Sequence, residues 1–263
     1  MTTHTSMPRR ILLTGAAGAI GTAFRCYAGD RYWFRLADRV THNLADAATQ
    51  GHDVLALDIA ELAACQEACK TIDTVIHLAA DAGPGADFYG SLLDNNIKGT
   101  YNVFRAAKDQ GCRRVIFASS AQVMAGYPRD VQAHPETPVR PVNMYGVSKC
   151  FGEAVASYFA HAEGLSSIAI CIGAYDVGSY DVNWLRRDPN AHILSTYVSE
   201  RDLNQLLVRC VEAADVQFAI VHGISDNRFK RLDITSTRDL LGYAPQDDAF
   251  NNFGDQLREW LQD

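Results

Sequence analysis

Short apolar runs alternate with longer amphipathic stretches through the first two thirds of the chain. Arg10-Ile11-Leu12-Leu13-Thr14 reads as a buried strand, followed by glycines and a helix from about Ile20. Further strands are predicted over Trp33 to Ala37, Val54 to Leu57, Thr74 to Ala79, Arg114 to Ala118 and Ser167 to Ile172. Between them lie a long helical stretch from about Phe88 to Gln110, a Pro-containing loop from Ala121 to Pro141, and a helix carrying Tyr145 and Lys149. Strands that are apolar throughout, rather than at every second residue, are buried on both faces. The predicted fold class is therefore α/β, a doubly wound parallel sheet of the dinucleotide-binding Rossmann type.

After Ile172 the rhythm breaks. Gly173 to Asn190 is rich in Gly, Asp, Tyr and Arg and reads as loop. Phe218 to His222 resembles one more strand, and Thr235 to Leu241 and Phe250 to Leu261 resemble two short helices. With no Ser/Pro-rich linker and no repeat, the expectation is a single domain over residues 1–263. Its dinucleotide-binding core is expected at 8–173, with small substrate-binding cap elements at 174–263.

Composition narrows the class of partner. With 263 residues, 48% hydrophobic and 21% charged, the chain matches an ordinary globular protein. A formal charge of −7 argues against nucleic acid and against an anionic membrane surface. No apolar run reaches the roughly 18 residues of a spanning helix, and the polar N-terminus lacks the apolar core of a signal peptide. A cytoplasmic location is expected. Seven scattered cysteines, Cys65 and Cys69 among them, are expected to be reduced thiols, with no metal site. His77, inside an apolar run, is expected to be a satisfied core residue. Whether the chain forms a homo-oligomer is left open.

Two groups of residues carry chemistry. Gly15, Gly18 and Gly21 follow the first strand at Gly-x-x-Gly-x-x-Gly spacing and lead into a helix that includes Ala19 and Ile20. Such a turn brings backbone N–H groups and a helix N-terminus to a pyrophosphate. Asp38 ends the second strand, where a carboxylate accepts hydrogen bonds from the adenosine ribose and repels a 2′-phosphate, favouring NAD. The neighbouring Arg39 is a guanidinium that can accommodate that phosphate, which leaves the strictness of the preference open. Asp58-Ile59 closes the third strand, placed for adenine, and Leu78-Ala79-Ala80 closes the fourth with small residues that admit a dinucleotide.

The second group is Tyr145 and Lys149, four apart on one helix and so on one face. A free phenol has a pKa near 10, and an adjacent ammonium lowers it toward a working base. Ser119-Ser120 ends the fifth strand, where a hydroxyl can hold the reacting oxygen. Downstream of the glycines, this couple points to hydride chemistry at a carbon bearing a hydroxyl.

On these residues the chain resembles the short-chain dehydrogenase/reductase superfamily, in its NAD-dependent epimerase/dehydratase branch. The carrying stretches are Thr14 to Gly21, Asp38, His77-Leu78-Ala79-Ala80, Asn95 to Thr100, Phe117-Ala118-Ser119-Ser120 and Tyr145-Gly146-Val147-Ser148-Lys149. The resemblance implies catalytic roles for Ser120, Tyr145 and Lys149. It also implies a supporting role for Asn96 beside the cofactor, and a contact from Ile172-Gly173 to the nicotinamide carboxamide. Within the branch, Tyr145 to Glu153, Leu194-Ser195-Thr196 and Val221 to Asn227 are similar to uronate dehydrogenases and related archaeal sugar dehydrogenases. Those enzymes oxidise a sugar at C1 to a lactone.

The chain departs from uronate dehydrogenases at the substrate. Ala121-Gln122 stands where they carry Asn-His, and Cys171 stands where they place a carboxylate-binding arginine. The loop after Gly173 differs and contains Arg186-Arg187. A neutral thiol makes no bidentate pair with a carboxylate. The substrate-binding residues expected are Ser120, Gln122, Tyr145 and Cys171. The reading is an NAD-dependent oxidoreductase acting on a small-molecule sugar or polyol. The alternatives are an epimerase or dehydratase that retains its NAD, and a non-catalytic dinucleotide-sensing protein on the same fold.

Overall fold

The computed structural model describes residues 8–177 and 192–254. Seven parallel strands form one sheet in the order β3-β2-β1-β4-β5-β6-β9. They are β1 (Arg10–Thr14), β2 (Trp33–Asp38), β3 (Asp53–Ala56), β4 (Thr74–His77), β5 (Arg114–Ser120), β6 (Ser166–Ile172) and β9 (Phe218–Gly223). The chain runs outward from β1 in one direction and then restarts beside it at β4. That reversal opens a crevice at the carboxyl ends of β1 and β4, where doubly wound sheets bind ligands.

Alternate residues of each strand feed two separate cores. Ile11, Leu13, Phe34, Leu36 and Ile76 face one side, against α1 (Ala19–Ala28) and α7 (Glu200–Glu212). Leu12, Val75, Val115 and Phe117 face the other, against α3 (Leu62–Cys69), α4 (Gly99–Asp109) and α5 (Met144–Glu163). The helix expected from Phe88 begins as a π-helical stretch, Phe88–Lys98, and continues without a break into α4. Asp87 caps it by accepting from the Gly90 N–H.

The C-terminal third departs from the expected division at residue 173. β9 pairs in register with β6, and α7, which the sequence reading did not identify, is its crossover helix. Leu203, Leu206, Leu207, Cys210 and Val211 form the buried stripe of α7 at helical spacing, so residues 200–223 belong to the sheet and its cover. What lies over the crevice is smaller. β7 (Ala174–Tyr175) pairs with β8 (Tyr197–Val198), while α8 (Thr235–Leu241) and α9 (Ala249–Asn252) follow β9. Arg186 and Arg187, and the helix expected beyond residue 254, lie outside the described residues. Among the described residues no helix is long and apolar enough to cross a membrane.

Arg114 joins the two halves of the sheet. It is 1% exposed and makes no ion pair among the described residues. Its guanidinium donates to the Ser166 hydroxyl and to the carbonyls of Cys210, Ala213, Ala214 and Val216. A cation at a helix C-terminus meets the negative end of the dipole and the unpaired last carbonyls together. Arg114→Met should fill similar space while removing the donor to the Cys210 and Ala213 carbonyls, the Val216 carbonyl keeping the Ser166 hydroxyl. The expected loss is about 3 kcal/mol in chemical unfolding. A midpoint and slope equal to wild type would show that the carbonyls find other partners.

Candidate active site

The glycine turn is built by two close approaches. Gly15 has φ +71°, and a Cβ there would stand 2.7 Å from the Ala79 nitrogen. A Cβ on Gly21 would stand 2.4 Å from the Gly15 carbonyl oxygen. Glycine therefore lets the loop press against the end of β4 and lets α1 start directly above β1. Gly18 caps α1 with no side-chain hydrogen bond, which leaves the amides of the first helical turn directed at the crevice. Asp38 accepts from the Ala17 N–H at 3.0 Å, so the carboxylate at the end of β2 is tied to the same loop.

A cavity of about 610 Å³ runs from this turn across the carboxyl ends of the strands. Gly15, Gly18, Ala19 and Ile20 line one end, with Asp38, Arg39 and Ile59. Leu78, Ala79 and Ala80 line the middle. At the far end Ser120, Gln122, Tyr145, Lys149 and Ile172 form the wall, with Tyr175 and Val177 beyond. A volume of this size accommodates an extended dinucleotide-scale ligand.

The far end is held by α5. Asn143 caps this helix by accepting from the Gly146 N–H at 2.7 Å, and its amide donates to Gln122 Oε1 at 2.9 Å. One residue thus fixes both the first turn of α5 and the side chain after β5. Ser120, at the end of β5, lies on the same wall as the Tyr145 hydroxyl and acts to lower its pKa. Lys149 Nζ donates to the Ala118 carbonyl at 2.8 Å and stands 5.6 Å from the Tyr145 ring centroid. Burial brings the Lys149 ammonium down to about 8. The phenol behaves differently from the sequence expectation. Burial raises it above the ordinary tyrosine value, and Ser120 offsets part of that rise.

Three expected residues lie away from the cavity wall. Asn96 is buried behind it, accepting from the Asp81 N–H and donating to the Asp81 carbonyl and the Ser148 hydroxyl. Ser148 in turn donates to the Tyr145 carbonyl, so Asn96 braces the first turn of α5 against the end of β4. Its neighbour Asn95 is the one that lines the cavity. The wider π-helical turn moves side chains off the 3.6-residue register that the sequence implied. Asp58 is exposed and accepts from the Ala60 N–H, outside the cavity. Cys171 is 1% exposed and packs among Val123, Met124, Ile224 and Leu232, so its thiol is a core group.

His77 is buried and hydrogen-bonded to Thr14 and Thr100, and burial lowers it to about 3. The residue the sequence reading missed is Asn143. Its signal was present, an Asn directly before a helical run.

The sequence model of the NAD dependent epimerase/dehydratase family matches residues 11–175. The chain is 34% identical to the NAD-dependent glucose-6-phosphate dehydrogenase of Haloferax volcanii, over 96% of this chain and 100% of that one. It is 34% identical to the uronate dehydrogenase of Pseudomonas putida, over 91% of this chain and 85% of that one. Among solved structures, a uronate dehydrogenase variant from Agrobacterium tumefaciens complexed with NAD superposes with a TM-score of 0.82. It is 30% identical, over 97% of this chain and 90% of that one. With its glycine turn, its parallel sheet and its Tyr145–Lys149 helix, the chain belongs to the NAD-dependent epimerase/dehydratase family.

Proposed function

We propose that the protein is an NAD-dependent dehydrogenase that oxidises a sugar at its hemiacetal carbon, C1, to the lactone. The observation that carries this reading is the convergence of Ser120, Tyr145 and Lys149 at the carboxyl end of β5, on a cavity that ends at the glycine turn. The likeness to two sugar dehydrogenases over most of the chain supports it.

The residues fit NAD. Close backbone approach at Gly15 and Gly18 and the open first turn of α1, with Ala19 and Ile20, would hold the pyrophosphate. Asp38 would accept the adenosine ribose hydroxyls, with Arg39 and Ile59 flanking the adenosine and Leu78, Ala79 and Ala80 leaving room beside it. Lys149 would hold the nicotinamide ribose, and Ile172 would meet the carboxamide. Bound NAD supplies the hydride acceptor and, when oxidised, a positive charge close to the phenol.

Ser120 fixes the sugar hydroxyl through its own hydroxyl, and Tyr145 takes the proton from that oxygen. In the buried site the phenol alone is a weak acid, so its phenolate needs cationic support. The Lys149 ammonium beside the ring gives part of it and keeps the side chain in place through Ala118. Gln122, whose Oε1 accepts from Asn143, lines the cavity, and its amide nitrogen is the donor this wall would offer a further sugar hydroxyl.

The buried Cys171 cannot meet a substrate carboxylate. Arg39 and Lys149 are the cationic side chains on the cavity wall among the described residues, and both stand at the cofactor. The substrate is accordingly a neutral aldose, or a sugar anchored by Arg186 or Arg187.

Three outcomes test this reading. Tyr145→Phe should lower kcat by roughly 10²–10⁴-fold with NAD affinity nearly unchanged, because only the phenolic proton is lost. Near wild-type turnover in the purified variant would remove Tyr145 from its role. Asp38→Ser should shift the NAD-over-NADP affinity ratio by roughly 10- to 100-fold toward NADP, the worth of a charged hydrogen bond. Titration of both cofactors into both proteins decides it, and an unchanged ratio refutes it. Finally, galactose and glucose, or glucose 6-phosphate, should rival galacturonate and glucuronate in kcat/KM. A strong preference for the two uronates would mean that another group holds the carboxylate.

A further inference from the structure

Glu153 occupies the same face of α5 as Tyr145 and Lys149, one turn beyond the lysine. It is 5% exposed, and a carboxyl is seldom buried so deeply without a partner. Three consecutive residues of β5 meet the three on that helix face. The Ala118 carbonyl accepts from Lys149, the Ser119 hydroxyl donates to Glu153 Oε1, and Ser120 faces Tyr145 on the cavity wall. Ser119 also lines the cavity, so Glu153 touches the site wall through one hydroxyl. Lys149 directs its hydrogen bond to a neutral carbonyl, and Glu153 therefore acts on it through space.

We infer that Glu153 is a positioning residue for the Tyr145–Lys149 couple, fixing Ser119 at the end of β5 and supplying the negative charge that keeps the buried ammonium protonated at alkaline pH. This rests on the reading of Tyr145 as the base.

The surrounding charges leave Glu153 as the main counter-charge to Lys149. Burial raises the Glu153 carboxyl to about 7, against the Ser119 hydrogen bond and the Lys149 charge. Burial lowers Lys149 to about 8, and the opposing influence is Glu153. Cys150 on the same helix is pushed up to about 11, and Cys171 on β6 well above the ordinary thiol value, so both stay neutral. His77 on β4 is held neutral near Lys149, and His222 on β9, in register with Cys171, is lowered by burial. Asp81, after β4, acts on the Tyr145 phenol, raising it.

The sign of the effect follows. Below about pH 7 the Glu153 carboxyl is protonated and equivalent in charge to glutamine. Above it, the carboxylate holds the Lys149 proton on, and removing the charge lets that proton leave earlier.

The test compares pH profiles of kcat for wild type, E153Q and E153D with NAD and galactose or galacturonate, whichever turns over faster. The E153Q and wild-type profiles should converge below pH 7. Above it the alkaline limb of E153Q should move down by about one pH unit, a roughly 10-fold lower kcat at pH 9, with KM nearly constant. E153D, which retains the charge, should restore the limb. A uniform loss at every pH, or superposed profiles, overturns the inference.

A second measurement is independent of turnover. The titration of the Lys149 amine, followed by NMR of 15N-lysine protein as each protein minus its Lys149→Met counterpart, should fall by about one pH unit in E153Q relative to wild type. Coincident titrations overturn the inference as well. Turnover in Tyr145→Phe itself would instead sink the assignment of the base.

Discussion

The site depends on one hydrogen bond, from the buried Lys149 ammonium to the Ala118 carbonyl. Taking an ammonium out of water costs several kcal/mol, and a single neutral carbonyl returns only part of that. The remainder comes from the way β5 and α5 are docked: Phe117 lies under the ammonium at 5.1 Å, and Glu153 lies one turn away. If α5 slid along β5, both hydrogen bonds, at Ala118 and Ser119, would break together. The Asn143 cap and the Asn96–Ser148 bridge prevent the first turn from moving. On the proposed reading of Tyr145 as the base, its reacting atom must be held within a fraction of an ångström, and this lattice of contacts restrains it.

Much of this was legible in the residue pattern. Continuous apolar strands such as Ile11-Leu12-Leu13 and Val115-Ile116-Phe117 point to a parallel sheet covered on both faces, and the structure has one. The glycine turn and the Tyr145–Lys149 spacing were legible because each rests on local geometry. The misplacements share a cause, which is that they depend on register or on distant packing. Asn96, expected beside the cofactor, sits behind the cavity wall on a π-helical stretch, where it braces α5. Asp58 was placed by its position at a strand end and Cys171 by the family's arginine position, yet one turns outward and the other is buried in the core. The helix Glu200–Glu212 has a clear apolar stripe, but it followed a segment without period and was passed over. No local signal told that β9 would extend the sheet, because that depends on β6 being an open edge.

The two ends of the cavity illustrate different kinds of specification. The cofactor end is built mainly from backbone, glycine and one carboxylate, so small changes in sequence leave its chemistry intact. The sugar end is built from side chains on the segments that follow β5 and β6. On the proposed reading, an exchange at a wall residue such as Gln122 changes which substrates can be oriented while the proton-transfer couple stays the same. This separation lets one scaffold serve sugars that differ far from the reacting carbon.

Arg114 also constrains the order in which the chain can be completed during synthesis. Its carbonyl acceptors follow it by 96 to 102 residues. At roughly 5–20 residues per second, the guanidinium exists for about 5–20 seconds before its partners are made. Until then the N-terminal end of β5 must remain hydrated, and the outer edge of β6, with Ile168 and Ile170, has no strand beside it. The growing chain therefore holds a nearly finished nucleotide-binding half with a wet seam. That seam closes when residues 200–223 leave the ribosome, which makes the last sheet strand the step at which a nascent molecule stops being open to association with its neighbours.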